Sequence, residues 1–288
     1  PADDWKTDAA LQKSNPNWDH LDHDVITSER AAALVSPAAE NDYKTKRLNI
    51  WVQAAAAWIS LKQWQKCIQR DISLSDFAGT ECVYGLDLAT KLDVTAAVRV
   101  FWRPDADNVL HYYVFPEFWL PEDTVQASRN SQYQGWANSG LFHLSPGSVT
   151  DYNDIGRYLM TDTRDYQCLG VGYDPWNCTQ LAQTLSAEGI EMYEVIQGPK
   201  TLSEPMKFVE QLSMQNRIHF DGNPVFLWML TNVTVKPDRN DNIYPRKERN
   251  ENKIDGVFAM LSAFYIIMKR DIEHTWQDWQ EDPEPVFI

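Results

Sequence analysis

Near residue 80 the apolar pattern stops being helical and becomes three short β runs in succession, and this change limits the fold more than any other feature. Cys82-Val83-Tyr84-Gly85-Leu86-Asp87 reads as a buried strand, Val94–Trp102 as a second closed by Arg103-Pro104-Asp105, and Val109–Phe118 as a third. Short polar connections predict an antiparallel meander. Helices and strands then alternate. Asp151–Asp165 is a helix with Asp151 as N-cap, Cys168–Tyr173 a strand, Pro175–Glu188 a helix stopped by Gly189, and Glu191–Ile196 a strand. Thr201-Leu202-Ser203-Glu204 has capping-box spacing and predicts a helix from there to about Gln215. Ile254–Lys269 is a strongly apolar helix. The fold class that follows is α/β, a mixed sheet flanked by helices.

Around this unit the pattern is simpler. Residues 1–80 read as a small helical segment. Ser28-Glu29-Arg30 leads into an Ala-rich stretch stopped before Pro37, and Glu40 to about Ser60 carries Leu48, Trp51, Val52, Ala55 and Trp58 on one helical face. Ser, Asp and Gly cluster at Ser73–Thr80 and mark a boundary. Residues 119–147 form a long excursion, and Val233–Lys236 with Ile243–Pro245 predict a hairpin around a polar turn. The division is a helical linker segment at 1–80, an α/β domain at 81–270 and an acidic, Trp-containing tail at 271–288. A meander followed by β/α alternation is the order of the ribonuclease-H/integrase-like fold.

Composition sets outer limits. At 43% hydrophobic residues the 288-residue chain can bury a sizeable core. Cys67, Cys82, Cys168 and Cys178 form no CxxC pair, so a reducing cytoplasm is expected rather than a disulfide framework or a zinc cage. No apolar run approaches the roughly 20 residues that span a bilayer. The start at Pro1, without an initiator Met, suggests a piece of something longer. Net charge is −15, which excludes a basic protein that coats nucleic acid. By segment it is −2 over residues 1–80, −9 over 81–200, +2 over 201–270 and −6 over 271–288. No broad basic surface is evident, so any affinity for nucleic acid is expected to be weak, salt-sensitive and aided by cations.

Three aspartates stand where a cation site needs them. Asp87 ends one buried strand, Asp174 ends another, and Asp255 lies in the first turn of the apolar helix. Carboxylates are costly to bury unless paired or bound to a cation, and Mg²⁺ takes a few carboxylate oxygens while keeping waters and substrate phosphates. Asp93, beside the first hairpin, is a candidate auxiliary ligand. Plainer readings describe the same residues. Asp174 before Pro175 is ordinary helix punctuation, Asp255 is favoured by the helix dipole, and Asp87 could simply end a strand. Lys236, Arg239, Arg246, Lys247, Arg249 and Lys253 form either a phosphate-contacting edge leading to Asp255 or a solvated turn, since Asp238, Asp241, Glu248 and Glu251 are interleaved. His20 and His23 have metal-compatible spacing without further partners. Gly198-Pro199-Lys200-Thr201 is too incomplete for a phosphate loop, and Gly-x-Ser-x-Gly is absent, so neither an ATP site nor a serine hydrolase is expected here.

Several longer pieces are more specific. Gly85-Leu86-Asp87-Leu88-Ala89, Asp93-Val94-Thr95-Ala96-Ala97, Tyr173-Asp174-Pro175-Trp176-Asn177, Gln197-Gly198, Leu202-Ser203-Glu204-Pro205-Met206, Gly222-Asn223-Pro224-Val225 and Lys253-Ile254-Asp255-Gly256-Val257 follow in order over about residues 82–268. In these the chain resembles the C-terminal nuclease domain of the tailed-bacteriophage terminase large subunit. Arg47-Leu48-Asn49-Ile50-Trp51-Val52 resembles the segment joining that family's ATPase and nuclease parts.

The resemblance implies a ribonuclease-H/integrase-like fold and endonucleolytic cutting of concatemeric viral double-stranded DNA during genome packaging. It implies a site in which Asp87, Asp174 and Asp255 hold two Mg²⁺ or Mn²⁺ ions, with Asp93 as an additional acid. The family's ATPase is expected upstream of Pro1. Expected partners are viral DNA, the terminase small subunit and the portal, in the host cytoplasm and with no membrane. Alternatives are another ribonuclease-H-like nuclease, such as a resolvase or transposase, and a non-catalytic module docking DNA or the portal. The Asp-Pro-Trp-Asn and Leu-Ser-Glu-Pro-Met pieces argue against the first, and the intact acids against the second.

Overall fold

A meander supplies antiparallel strands and later β/α units add parallel neighbours, so the sheet that results is mixed. The computed structural model describes residues 4–34, 43–44, 46–48, 57–89, 93–128, 130–249 and 251–281, the last as backbone alone beyond 270. Strands β1 (Glu81–Asp87), β2 (Thr95–Pro104) and β3 (Leu110–Pro121) form the meander, with Asp87 opposite Ala96 and Thr95 opposite Trp119. On the other side β1 pairs in parallel with β5 (Gln167–Tyr173), and β5 with β6 (Met192–Glu194). β4 (His143–Ser145) and β7 (Ile218–Phe220) each run parallel to a different stretch of β3. The seven strands lie in the order β4-β3-β2-β1-β5-β6, with β7 beside β3. β1 is central and buried on both faces, which is why its sequence is a continuous apolar run rather than an alternating one.

Helices α1 (Asp8–Ser14), α2 (His23–Ala33) and α3 (Leu61–Lys66) precede the sheet. Helices α4 (Glu122–Ala127) and α5 (Ser131–Asn138) follow β3, and α6 (Tyr152–Asp162) precedes β5. Helices α7 (Pro175–Ala187), α8 (Pro199–Met214), α9 (Pro224–Asn232) and α10 (Asp255–Glu281) complete the chain. One face of the sheet packs on α8, α9 and α10 through Val83, Val98, Val100, Val209, Met229 and Phe264. The other packs on α6 and α7 through Tyr84, Leu86, Phe101, Ile155 and Leu185. Ala10, Leu11, Ile26, Ala33, Tyr43 and Leu48 form a separate N-terminal cluster. Trp58, Ile59, Trp64 and Cys67 belong to the sheet's core, although they precede the 80/81 boundary read from the sequence.

The face toward α6 also buries a charge. Arg99 of β2 is 1% exposed. Its guanidinium donates to both oxygens of Asp162 at 2.8 and 2.9 Å and to Glu117 at 2.6 Å, while the Tyr84 hydroxyl donates to Asp162 at 2.6 Å. Two carboxylates thus pair a cation that would otherwise be prohibitive to bury, and the Tyr84 phenol supports Asp162 in turn.

Several local expectations need correction. The predicted helix over 40–60 falls largely outside the described residues, but its end does not: Ala57 bridges Thr234 and Ser60 is the N-cap of α3. Helix α8 begins at Pro199 with Gly198 as N-cap, so Thr201 and Glu204 lie inside it rather than forming a capping box. Proline at the first helical position carries the start. The 119–147 excursion holds the end of β3, two helices and β4. The predicted hairpin is reduced to a single antiparallel bridge, Thr234 to Arg246, around a turn tied by the Asp238 carboxylate, which accepts from the Asn240 and Asn242 N–H groups. The helix predicted to end at Lys269 continues across 270/271 to Glu281. All four cysteines are free, and among the described residues no helix is long and apolar enough to cross a membrane.

Candidate active site

Close packing of α10 on β1 sets the geometry. A Cβ on Gly85 would stand 1.8 Å from the Ala259 carbonyl oxygen, and one on Gly172 of β5 2.8 Å from the Ser262 oxygen, so only hydrogen lets the helix seat at this depth. From Gly85 to Asp87 is two strand residues, about 6.6 Å. From Ala259 back to Asp255 is one helical turn, about 6 Å. Asp87 shares a strand face with Gly85 and Asp255 a helix face with Ala259, and the charge of Asp255 acts on Asp87. Leu86 pairs with Tyr173, which puts Asp174 level with Asp87 on the neighbouring parallel strand. The three acids therefore gather at the carboxyl end of β1 and β5, where open α/β sheets bind ligands.

Their electrostatics agree. Asp87 is pushed up to about 8, first by burial and then by Asp255, with Asp174 and Asp93 adding to it and a hydrogen bond from Gln197 opposing it. Asp255 is pushed up to about 6, again first by burial, with Asp93 adding and Lys253 and Lys247 opposing. Asp255 Oδ2 is buried and has no hydrogen-bond partner among the described residues. Asp174 Oδ1 accepts from the Trp176 N–H at 3.1 Å, so the helix-capping reading is correct and uses one of its two oxygens. Asp93 is ion-paired to Lys253.

Of the basic run, Lys236, Arg239, Arg246, Lys247 and Arg249 are exposed, whereas the Lys253 side chain is 15% exposed and committed to Asp93. Lys247 lies near enough to act on Asp255. Sequence reasoning did not single out two neighbours. Gln197, three residues past β6, donates from Nε2 to Asp87 Oδ1 at 3.0 Å. Tyr244 donates its hydroxyl to the Gln197 carbonyl at 3.4 Å and feels both Asp87 and Asp174. The Gln197-Gly198 pair among the family pieces was the available signal for the first; nothing local marked the second. His23 lies 3.0 Å from the Trp18 carbonyl oxygen and stacks on that ring, which accounts for it without a metal.

The donor set suits a hard divalent ion. It is all oxygen, two of its carboxyls are pushed above the ordinary carboxylate range first of all by burial, and one buried oxygen has no partner among the described residues. Among the described residues, however, no group of three or more His, Cys, Asp or Glu side chains forms a preformed metal cage. The chemistry of these oxygens, not a preformed cage, is what fits a divalent ion.

Sheet order and acid placement together define an α/β protein of the ribonuclease-H-like fold. Residues 1–271 match the family described as terminase large subunit, endonuclease domain. The chain is 33% identical over 291 residues to Protein YmfN of Escherichia coli (strain K12), covering 96% of this chain and 63% of that protein, so it spans less than two thirds of that relative. Its structure resembles the crystal structure of the HK97 bacteriophage large terminase with a TM-score of 0.64 and 25% identity, covering 92% of this chain and 55% of that one. A further similarity, to the large terminase nuclease of thermophilic phage G20c with bound magnesium, has a TM-score of 0.48 and 14% identity, covering 73% of this chain and 97% of that one. The chain belongs to the terminase large-subunit endonuclease-domain family.

Proposed function

We propose that this chain cuts concatemeric viral double-stranded DNA during genome packaging, as a divalent-cation-dependent endonuclease. The observation that carries the reading is that the charge of Asp255 acts on Asp87 at the close β1–α10 contact, with Asp255 Oδ2 buried and without a partner among the described residues. Two Mg²⁺ or Mn²⁺ ions, when bound, would supply the Lewis acidity that phosphodiester hydrolysis needs. Asp87, which feels both Asp255 and Asp174, would hold the ions together with those two acids. Gln197 holds the Asp87 carboxylate in place. The Asp93–Lys253 pair places an acid and a cation beside Asp255, and Asp93 could join the ligand set on release from Lys253. Lys236, Arg239, Arg246, Lys247 and Arg249 line an exposed loop leading to Asp255 and suit phosphate contacts. No protein nucleophile is required.

The remaining expectations belong to the same proposal: a nuclease domain over 81–270, a linker segment before it and an acidic tail after it. An ATP-hydrolysing motor, a small subunit and a portal would be partners in the host cytoplasm. The test is plasmid DNA incubated with the chain and Mg²⁺, Mn²⁺ or EDTA. Nicking or linearisation that needs the cation, and is lost in folded Asp87→Asn, Asp174→Asn and Asp255→Asn, supports the reading. Full cutting by any of these folded variants overturns that residue's assignment. Cation-independent binding without cutting would favour a docking module.

A further inference from the structure

Among the described residues, the two most exposed large apolar side chains both adjoin the acid cluster. Trp176 is 87% exposed and Ile196 68%. By contrast Trp58, Trp64 and Trp119 are nearly fully buried at 6%, 1% and 2%, as is usual for so large an apolar ring. Neither exposed side chain sits on a loose segment. The Trp176 N–H is held by Asp174 Oδ1, and Pro175 before it fixes the first helical position of α7. Ile196 stands between Val195, fully buried with its N–H on the Tyr173 carbonyl at 2.8 Å, and Gln197, which holds Asp87. Two apolar projections are thus mounted on the residues that position the acids, at the ends of the neighbouring strands β5 and β6.

From this placement we propose that Trp176, backed by Ile196, is a wedge that seats against a base step of the duplex beside the cut and opens it. The inference rests on the nuclease reading, since what approaches these acids is then a scissile phosphate with its sugar and bases close by. Trp176 and Ile196 lie within residues 81–200, which carry a net charge of −9, so that stretch itself offers DNA little electrostatic grip. Apolar and stacking contact is the attraction left. Aromatic rings stack on any base, and apolar side chains entering a base step unstack and kink the duplex. The cost of that kink is lowest at flexible pyrimidine–purine steps such as TA and CA. Trp176 therefore gives the enzyme a preference for deformable steps without reading base edges, and couples that preference to Asp174 through the N–H that Asp174 holds.

The experiment compares the 288-residue wild type, Trp176→Ala, Trp176→Phe and Asp87→Asn on two substrates. Duplexes carrying 2-aminopurine at a TA step, mixed with protein in Ca²⁺, report unstacking as a rise in fluorescence. Linear DNA cut in Mn²⁺ and mapped end by end reports the distribution of cleavage sites. The proposal expects wild type to raise the fluorescence and wild-type cuts to be enriched at pyrimidine–purine steps, with Asp87→Asn as the uncut control. Trp176→Ala is expected to keep its melting temperature, since the indole touches little protein, but to lose the fluorescence rise, the enrichment and about tenfold in kcat/KM, as expected for one lost stacking contact. Trp176→Phe should keep most of all three. Wild-type cutting with an unchanged rate and unchanged sites in Trp176→Ala overturns the wedge and leaves the nuclease reading intact. A wild type that neither binds duplex nor cuts it in any divalent cation overturns both.

Discussion

Replacing Asp87 by Asn is expected to stabilise the cation-free protein at alkaline pH while removing its response to divalent cations. In the folded state Asp87 is pushed from 3.8 to about 8 by burial and by Asp255. Between those values the folded chain binds a proton that the unfolded chain has released, so this group's contribution to stability falls as pH rises through the window and is fully lost above about 8. A rise of about four units at about 1.4 kcal/mol each sets a ceiling of roughly 5–6 kcal/mol. Asp87 is only half-buried as a residue and shares its burden with Asp255, so about 2–3 kcal/mol is the working figure. At about 2–4 °C per kcal/mol for a chain of this size, the variant should melt roughly 5–10 °C above wild type at pH 8.5 in EDTA. At pH 4.5, near the unfolded value, the gap should shrink to about 1–2 °C. Asn keeps the carboxyl's shape and an oxygen to accept from Gln197. With Mg²⁺ at ten times its dissociation constant, wild type should gain about 1.4 kcal/mol and the variant little or none. Thermal melts at the two pH values, with and without Mg²⁺, read all of this. A variant that melts below wild type at pH 8.5, or by an equal offset at both pH values, refutes the argument.

Two further substitutions test the frame. Gly85→Ala would put a methyl 1.8 Å from the Ala259 oxygen, and α10 must retreat to admit it. Overpacking of this kind costs about 1–3 kcal/mol or more, and because α10 carries Asp255, cleavage should fall together with the melting temperature; wild-type values for both would contradict the packing argument. Arg99→Leu leaves Asp162 and Glu117 without their shared cation, a change that costs about 3–5 kcal/mol where one partner of a buried pair is removed. That network lies on the α6 face of the sheet, away from Asp87, so urea melts should show the loss while the cutting rate per folded molecule stays unchanged.

What the sequence made legible follows from where the signal was local. β1 and β5 are continuous apolar runs each followed by an acid, and α10 is a long apolar helix opened by one, so the elements that carry Asp87, Asp174 and Asp255 could be read before any contact was known. The parts that escaped have non-local causes. β7 is three residues long and exists because Tyr112–Val114 of β3 offers it an edge. Helix α9, Pro224–Asn232, is apolar around most of its circumference, so no amphipathic period announced it, and Gly222-Asn223-Pro224-Val225 was read as a motif rather than a helix start. The Asn223 side chain in fact accepts from the Val225 and Phe226 N–H groups, the ordinary sign of an N-cap. Lys253 was grouped with the exposed cations by position in the chain, and only the tertiary structure brings Asp93 to it. Gln197 and Tyr244 reach the acids across large separations in sequence, which a one-dimensional pattern does not encode.

The acidic balance of the chain also takes on a different meaning. A net charge of −15 reads as an obstacle to a DNA-cutting enzyme when treated as a surface property. Part of it is instead concentrated where it cannot be fully expressed: with Asp87 pushed up to about 8 and Asp255 to about 6, the pair does not carry two full charges at neutral pH without a cation. Asp87 must give up its proton before it can serve a cation, so cation affinity should rise with pH until that proton is gone. The same carboxylates that weaken the bare fold above their ordinary range are therefore those whose stability is restored by binding. Low affinity for bare DNA and strong dependence on divalent cations are what the proposed function expects from one arrangement: acids gathered beside a helix that only glycine lets approach so closely.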